Sequence, residues 1–372
     1  MQPARTYPDR RDDVRLLVVD PAARAVAETR TPELPALLSP GDLLVVNDAA
    51  TLPGSLRGHD PASGQPIEVR LLSTSEAPLR DGRFLAVLFG AGDWRARTED
   101  RPPPPPLEPG ARLSFGALGA VVVARAPLSP RLVELAFDAR GDQLWAALYR
   151  EGRPVQYSYL AHELPLWAVQ NSYAARPWAF EMPSAGRSLS WEILLELRRR
   201  GVRWAALTHA AGLSATGDPA IDAALPLPER YQIPPATARA VAETRAAGGR
   251  VIAVGTTVVR ALEGSGGAAG SGVTDLRLDA AYRPRVVGGV LAGVHAAEES
   301  HFALLGAFAG RDLLAEAVAL AEARGFRTHE LGDAMLVLPG AQGRMRAPVD
   351  QTYAGPGRSQ VVSQASRPPS SS

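Results

Sequence analysis

Cysteine and lysine are both missing from this chain of 372 residues. Without cysteine there is no thiol nucleophile, disulfide, zinc ribbon or cysteine-held iron–sulfur cluster. Without lysine all 40 basic side chains are arginine. That removes a pyridoxal Schiff base, a lysine-activated carbonyl and a Walker-type phosphate lysine. No run of about 18 apolar residues is present, so no helix here is expected to span a membrane. Residues Met1 to Arg15 are polar and lack an apolar stretch, which argues against a secretory signal and for a cytoplasmic protein. Charge of one sign is scarce as well. The formal net charge is +1, whereas dedicated DNA binders carry a strong basic excess. No G-x-S-x-G elbow, G-x-G-x-x-G fingerprint or Walker loop occurs.

The length predicts two domains. Val14 to Asp20 and Leu43 to Val46 read as strands buried on both faces, joined through Thr31 to Leu38, a connection long enough for one helical turn. From about Thr51, short β-type runs follow at Ile67 to Leu72, Phe84 to Phe89, Ala111 to Phe115, Ala120 to Ala126 and Leu132 to Phe137. Gly, Pro and Asp turns separate them, the spacing of a small antiparallel barrel or sandwich. Pro102 to Pro106 cannot join a sheet ladder and reads as a protruding polyproline spacer.

After Asp142 the pattern alternates. Helices are expected at Gln143 to Tyr149, Leu189 to Arg200, Pro235 to Ala247, Ala297 to Phe308 and Arg311 to Arg324. Strands are expected at Trp204 to Thr208, Val251 to Val254 and Ala334 to Leu338, with a flexible Gly/Ser/Ala loop over Glu263 to Ser271. The reading is an α/β main domain (1–52 and 143–340) with an inserted small antiparallel β-barrel domain (53–142). The Ser/Pro-rich tail, 341–372, is expected to be disordered.

Four segments carry candidate chemistry. Val251 to Glu263 reads as strand, tight turn at Gly255, then a helix opening on Thr256 and Thr257, where exposed amides suit anionic or hydrogen-bonding ligands. The bland alternative has a threonine merely capping the helix and Arg260 pairing with Glu263. Trp204 to Ser214 runs from a strand through His209 into a small-residue loop with Gly212; open α/β sheets bind ligands at such carboxyl ends, though His209 also fits a structural role. In Trp178 to Arg187, the small residues Ser184, Ala185 and Gly186 allow close backbone approach, and Ser188 is placed to cap the next helix. His295 and Glu299 share a helical face as an acid–base pair, without metal-site spacing. No carboxylate pair is evident along the chain.

Taken in order, these segments resemble the S-adenosylmethionine:tRNA ribosyltransferase-isomerase family of queuosine biosynthesis. The resemblance rests on Arg15 to Asp20, Pro40 to Asp48, Ile67 to Leu72, Ala307 to Gly310 and Gly332 to Met335, and above all on Ala253-Val254-Gly255-Thr256-Thr257-Val258-Val259-Arg260-Ala261-Leu262-Glu263. It implies a two-domain monomer, an α/β domain with an inserted β-barrel. It also implies transfer of the ribosyl part of S-adenosylmethionine to the aminomethyl group of a 7-deazaguanine in tRNA, with loss of adenine and methionine, giving epoxyqueuosine. S-adenosylmethionine is then a substrate, and no cofactor or metal is implied.

The site loops depart from the family pattern. P-T-A-G-L-H-F is here Pro183 to Leu189, with Arg187 and Ser188 at the leucine and histidine positions. L-H-V-G-A-G-T-F becomes Thr208 to Ala215, keeping His209. T-N-F-H-L-P-x-S-T becomes Ala292-Gly293-Val294-His295 and then Ala296 to Ser300. P-L-P-P-Y-I becomes Pro154 to Tyr159, and H-x-M-H-x-E has no histidine counterpart over 223–229. A paralogue with a non-tRNA acceptor and a non-catalytic binder therefore stay open as alternatives. Catalytic chemistry is expected at His209, His295 and Glu299. Substrate contacts are expected at Asp48, Ser184, Gly186, Arg187, Gly212, Ser214, Gly255, Thr256, Thr257 and Arg260. Arg187 is expected to pair with an anionic group such as the methionine carboxylate or an acceptor phosphate.

Overall fold

The computed structural model describes residues 1–74, 78–295 and 300–344. Among them the chain builds a nine-stranded mixed sheet. From one edge its order is Gly270–Thr274, Glu229–Ile233, Arg203–His209, Leu43–Asn47, Val251–Val254, Gly289–Gly293, Ala334–Val337, Arg15–Asp20 and Ala25–Arg30. The four strands from Arg203–His209 to Gly289–Gly293 run parallel. Strands of this kind are covered on both faces, which explains their unbroken apolar runs. Leu17, Val19, Leu43 and Val45 enter one core layer, while Leu16, Val18, Leu44 and Val46 enter the other. The period of two dictates that split. Helices Pro235–Ala246, Thr256–Ser265, Ser300–Ala309 and Arg311–Ala323 supply the first layer; Leu34–Leu37 and Trp191–Arg199 supply the second.

Four strands of this sheet escape the hydrophobic pattern. Ala25–Arg30 and Glu229–Ile233 are polar, and Gly289–Gly293 begins and ends on glycine. Gly270–Thr274 lies partly in the stretch expected to be a flexible loop, yet it pairs antiparallel with Glu229–Ile233. Gly272 is needed there: a Cβ would stand 2.6 Å from the Tyr231 hydroxyl.

The barrel is closed and six-stranded, in the order Leu118–Arg125, Leu132–Phe137, Arg83–Phe89, Pro66–Thr74, Ser55–His59, Arg112–Phe115. Ser55–His59 is the strand without a sequence signal. Gly58 in its middle passes so close to the Ser114 carbonyl that a Cβ would meet it at 1.9 Å. The interior is filled by Leu56, Val69, Phe84, Phe115, Val133 and Phe137, and helix Gly141–Glu151 packs Leu144 and Leu148 against it. The proline run does not protrude as expected. Gly90 donates to the Pro102 carbonyl, and the next residues lie along the barrel as far as buried Leu107. The chain enters and leaves the barrel side by side: Ser55 and Arg153 exchange backbone hydrogen bonds of 2.9 and 2.8 Å.

Near the C-terminus, Ala341 is fully buried against strand residues of the second layer, one residue beyond the expected boundary. Residues 345–372, most of the expected tail, lie outside the described residues.

Candidate active site

The four parallel strands end on one rim at His209, Asn47, Val254 and Gly293. Asn47 fastens three of these ends. Its Oδ1 accepts the His209 N–H at 2.9 Å, and its Nδ2 donates to the His209 carbonyl at 3.0 Å and the Thr257 hydroxyl at 3.3 Å. Asp48 follows, half-buried. It accepts the Thr208 hydroxyl at 2.6 Å, and burial raises its pKa against the opposing pull of that bond and of Arg176. This rim is where open α/β sheets take ligands.

Gly255 turns the chain from Val251–Val254 into helix Thr256–Ser265 with φ at +90°. It is the helix N-cap, and neither threonine caps the helix through its side chain. The space a Cβ would take lies 3.3 Å from Ala185, so the 255–257 and 184–188 loops adjoin. Ser184–Gly186 forms a 3-10 turn, and Gly186 lies under Tyr173, whose hydroxyl would be 1.8 Å from a Cβ there. The cap of helix Trp191–Arg199 is Ser190, accepting the Ile193 N–H at 3.3 Å, not Ser188.

Two expected site residues, Arg260 and His209, are buried within the fold. Arg260 neither reaches the rim nor pairs with Glu263. It forms a buried ion pair with Glu229 and donates to the Leu276 and Thr274 carbonyls. Glu263 instead gathers the backbone N–H groups of Arg285, Val286 and Val287. His209 is 0% exposed, 3.6 Å from Glu229, and neither ring nitrogen has a hydrogen-bond partner. Burial, reinforced by the Arg260 charge, lowers its pKa to about 3, so it is neutral at physiological pH and shielded from any ligand at the rim. The Gly212 N–H is likewise taken, donating to Glu229 at 2.7 Å.

The group with acid–base character is Glu181, which stands in the Trp178 to Arg187 segment but carries no motif. It accepts the Tyr157 hydroxyl and the Ser214 N–H, the latter at 3.1 Å, and Ser214 also meets Tyr157 at 3.3 Å. Burial and the charge of Glu330 push its pKa up to about 7. Glu330, 149 positions away in sequence, accepts the Tyr159 hydroxyl. Tyr159 stacks on His329 at 4.4 Å and faces Tyr157 at 6.1 Å. Beneath them Arg70 lies 5.4 Å from the Tyr157 ring, locked to Glu68 at 2.9 Å; Glu68 also holds Arg101 and the Ser55 hydroxyl. The Ile67 to Leu72 motif thus anchors the barrel to the rim.

Arg187, Ser184 and Ser188 line a cavity together with Gly293, Glu330 and Asp333. Arg187 is 6% exposed. His295 lies half-buried beyond Gly293 and stacks on His301 at 4.5 Å. Glu299, the expected partner of His295, lies outside the described residues. Thr256 and Thr257 are half-buried at the rim, as is Gly212, while the side chains of His209 and Arg260 are buried.

Comparison with known proteins bears on this arrangement. Residues 2–337 match the family described as "Queuosine biosynthesis protein". Relatives named S-adenosylmethionine:tRNA ribosyltransferase-isomerase include one from Anaeromyxobacter sp. (strain K), 35% identical, covering 88% of this chain and 93% of its own. Others come from Gloeobacter violaceus, 36% identical with coverages of 89% and 91%, and Thermus thermophilus, 35% identical with 88% and 93%. A crystal structure of S-adenosylmethionine tRNA ribosyltransferase from Thermotoga maritima aligns at 25% identity and a TM-score of 0.49, covering 90% of this chain and 96% of that one.

Proposed function

Because this chain belongs to the queuosine biosynthesis family of S-adenosylmethionine:tRNA ribosyltransferase-isomerases, we propose that it transfers the ribosyl part of S-adenosylmethionine to the aminomethyl group of 7-aminomethyl-7-deazaguanine in tRNA. Adenine and methionine are released and epoxyqueuosine results. The observation that carries this reading is similarity along nearly the whole chain, residues 2–337.

In this reading S-adenosylmethionine is the substrate and no further cofactor takes part. The sulfonium acidifies the adjacent C5′ protons, and the reaction needs a base that is unprotonated near pH 7. Glu181, about half ionised at that pH, meets that requirement; His209 is unprotonated as well, but a pKa of about 3 makes it a weak base and its side chain is fully buried. The half-buried hydroxyls of Thr256 and Thr257 and the helix N-terminus behind them supply hydrogen bonds to the ribosyl and adenine parts. Asp48 lines the same rim. A second reading, a different amine acceptor, is favoured by Ser188, which stands where the family pattern has a histidine.

Incubation with S-adenosylmethionine, with and without tRNA carrying 7-aminomethyl-7-deazaguanine, tests the assignment. The expected result is adenine and methionine released only with that tRNA. Release with the free 7-deazapurine but not the tRNA selects the second reading; no release with either overturns both.

A further inference from the structure

Arg187 is the one strongly buried residue of the cavity whose charge is left uncompensated among the described residues. Its Nε has no hydrogen-bond partner, and no described carboxylate lies within ion-pair distance. Its charged neighbour is another guanidinium: Arg11 donates to the Arg187 carbonyl at 3.4 Å and to the Gln170 carbonyl. Burial and Arg11 lower the Arg187 pKa to about 10, which still leaves it charged at neutral pH. A buried guanidinium beside a second, half-buried one, with no acid in ion-pair reach, is unfavourable, and an anion seated beside it offsets the cost. Asp333, on the same cavity wall, cannot serve. Its oxygens are held by the Arg15 guanidinium at 2.8 Å and by the backbone N–H groups of Arg15 and Arg327.

The opposite charge stands at the more open part of the cavity. Glu330 is half-exposed, and among the described residues its hydrogen bond comes from Tyr159 alone. We infer that this cavity holds the zwitterionic amino-acid end of S-adenosylmethionine, its carboxylate on the Arg187 guanidinium and its ammonium on Glu330. The guanidinium fork matches a carboxylate in two bonds, and the Ser184 hydroxyl lies on the same wall. A polymer phosphate is disfavoured here, because a side chain 6% exposed is reached by a slender ligand end and not by a nucleic-acid backbone. The proposal rests on S-adenosylmethionine being the substrate and adds where its methionine end lies.

Calorimetry with S-adenosylmethionine and S-methyl-5′-thioadenosine, which lacks the amino-acid end, tests it on the full chain. The expected result is at least tenfold tighter binding of S-adenosylmethionine. Arg187→Leu should abolish that preference, leave thioadenosine affinity unchanged and raise the melting temperature, because an uncompensated buried charge is removed. Arg187→Lys should keep part of the preference, and Glu330→Gln should reduce it. A preference that survives in Arg187→Leu, or that is absent from the parent chain, overturns the assignment. A lowered melting temperature with both affinities unchanged makes Arg187 structural and also overturns it. The two proposals fail separately: a head-dependent preference without adenine release keeps this subsite and rejects transfer to tRNA, and adenine release with no such preference does the reverse.

Discussion

Arg260 and Glu229 form a buried ion pair beneath the rim, with the other Glu229 oxygen holding the Gly212 N–H at 2.7 Å. Burial on its own pushes the Glu229 pKa up, and the guanidinium opposes it. The pair therefore supports the 209–214 loop through the Gly212 N–H.

Arg260→Met should strand Glu229 and cost about 3 kcal/mol or more of stability, the usual scale for breaking a buried pair from one side. Adding Glu229→Gln should recover at least about 1 kcal/mol, since the stranded charge is gone. Urea denaturation of the single and double variants measures both. A cost within about 0.5 kcal/mol for the single variant would place the arginine in solvent.

Glu181 makes two pH predictions. As a base it works unprotonated, so kcat for adenine release should rise with pH along a limb centred near 7. Glu181→Gln should remove that limb and lower kcat at least about 100-fold. Stability runs the opposite way. A carboxyl whose pKa is raised in the folded state favours folding while protonated, and that contribution is lost as pH rises from about 4.5 through about 7. Thermal melts from pH 4 to 9 should show this loss in the parent chain and a smaller one in Glu181→Gln.

Asn47→Ala deletes an amide oxygen that accepts the buried backbone N–H groups of His209 and Ala49, while the His209 carbonyl keeps the Ala211 N–H at 3.0 Å. Two buried groups left unpaired should cost about 2–4 kcal/mol. Hydrogen exchange should show faster exchange of the His209 amide than of the amides of Val251–Val254. Equal protection across these strands would mean the asparagine does not fasten the rim.

Gly186→Ala drives a methyl into the Tyr173 hydroxyl, 1.8 Å from its ideal position. The expected loss is about 1–3 kcal/mol, with weaker S-adenosylmethionine binding as the 184–188 turn shifts. The hydroxyl is buried and has no partner, so Tyr173→Phe should be near neutral alone and should relieve the clash in combination. A double variant no better than Gly186→Ala would refute that relief.

Buried strands and amphipathic helices were readable because hydrophobic period reports burial directly. The apolar runs of Arg15–Asp20, Leu43–Asn47 and Val251–Val254 announce a covered sheet, and five barrel strands show β-type runs. Ser55–His59 and Gly270–Thr274 were silent, since glycines admitted for close packing erase the period that marks a strand. At the site, Ser184, Gly186, Arg187 and Gly255 stand out as small or unusual residues in loops. Glu181 and Glu330 do not: their pairing exists only after residues 149 positions apart are folded together. His209 and Arg260 stand in motifs as well, yet their side chains are buried in the fold. A motif shared by a family records what the fold needs as well as what the ligand touches.

The reciprocal hydrogen bonds between Ser55 and Arg153 have a consequence for how such a chain is assembled. Ninety-seven intervening residues leave and return through neighbouring positions, so the flanking sheet experiences them much as it would a tight turn. Loop-closure entropy grows only with the logarithm of length, and the barrel's own hydrophobic interior offsets it. Replacement of this stretch by another with closely spaced ends is therefore expected to leave strand order in the sheet unchanged. A chimera carrying a short hairpin between Ser55 and Arg153 would be the minimal version of this architecture, lacking the Arg70 platform under Tyr157 but keeping the parallel strands in register.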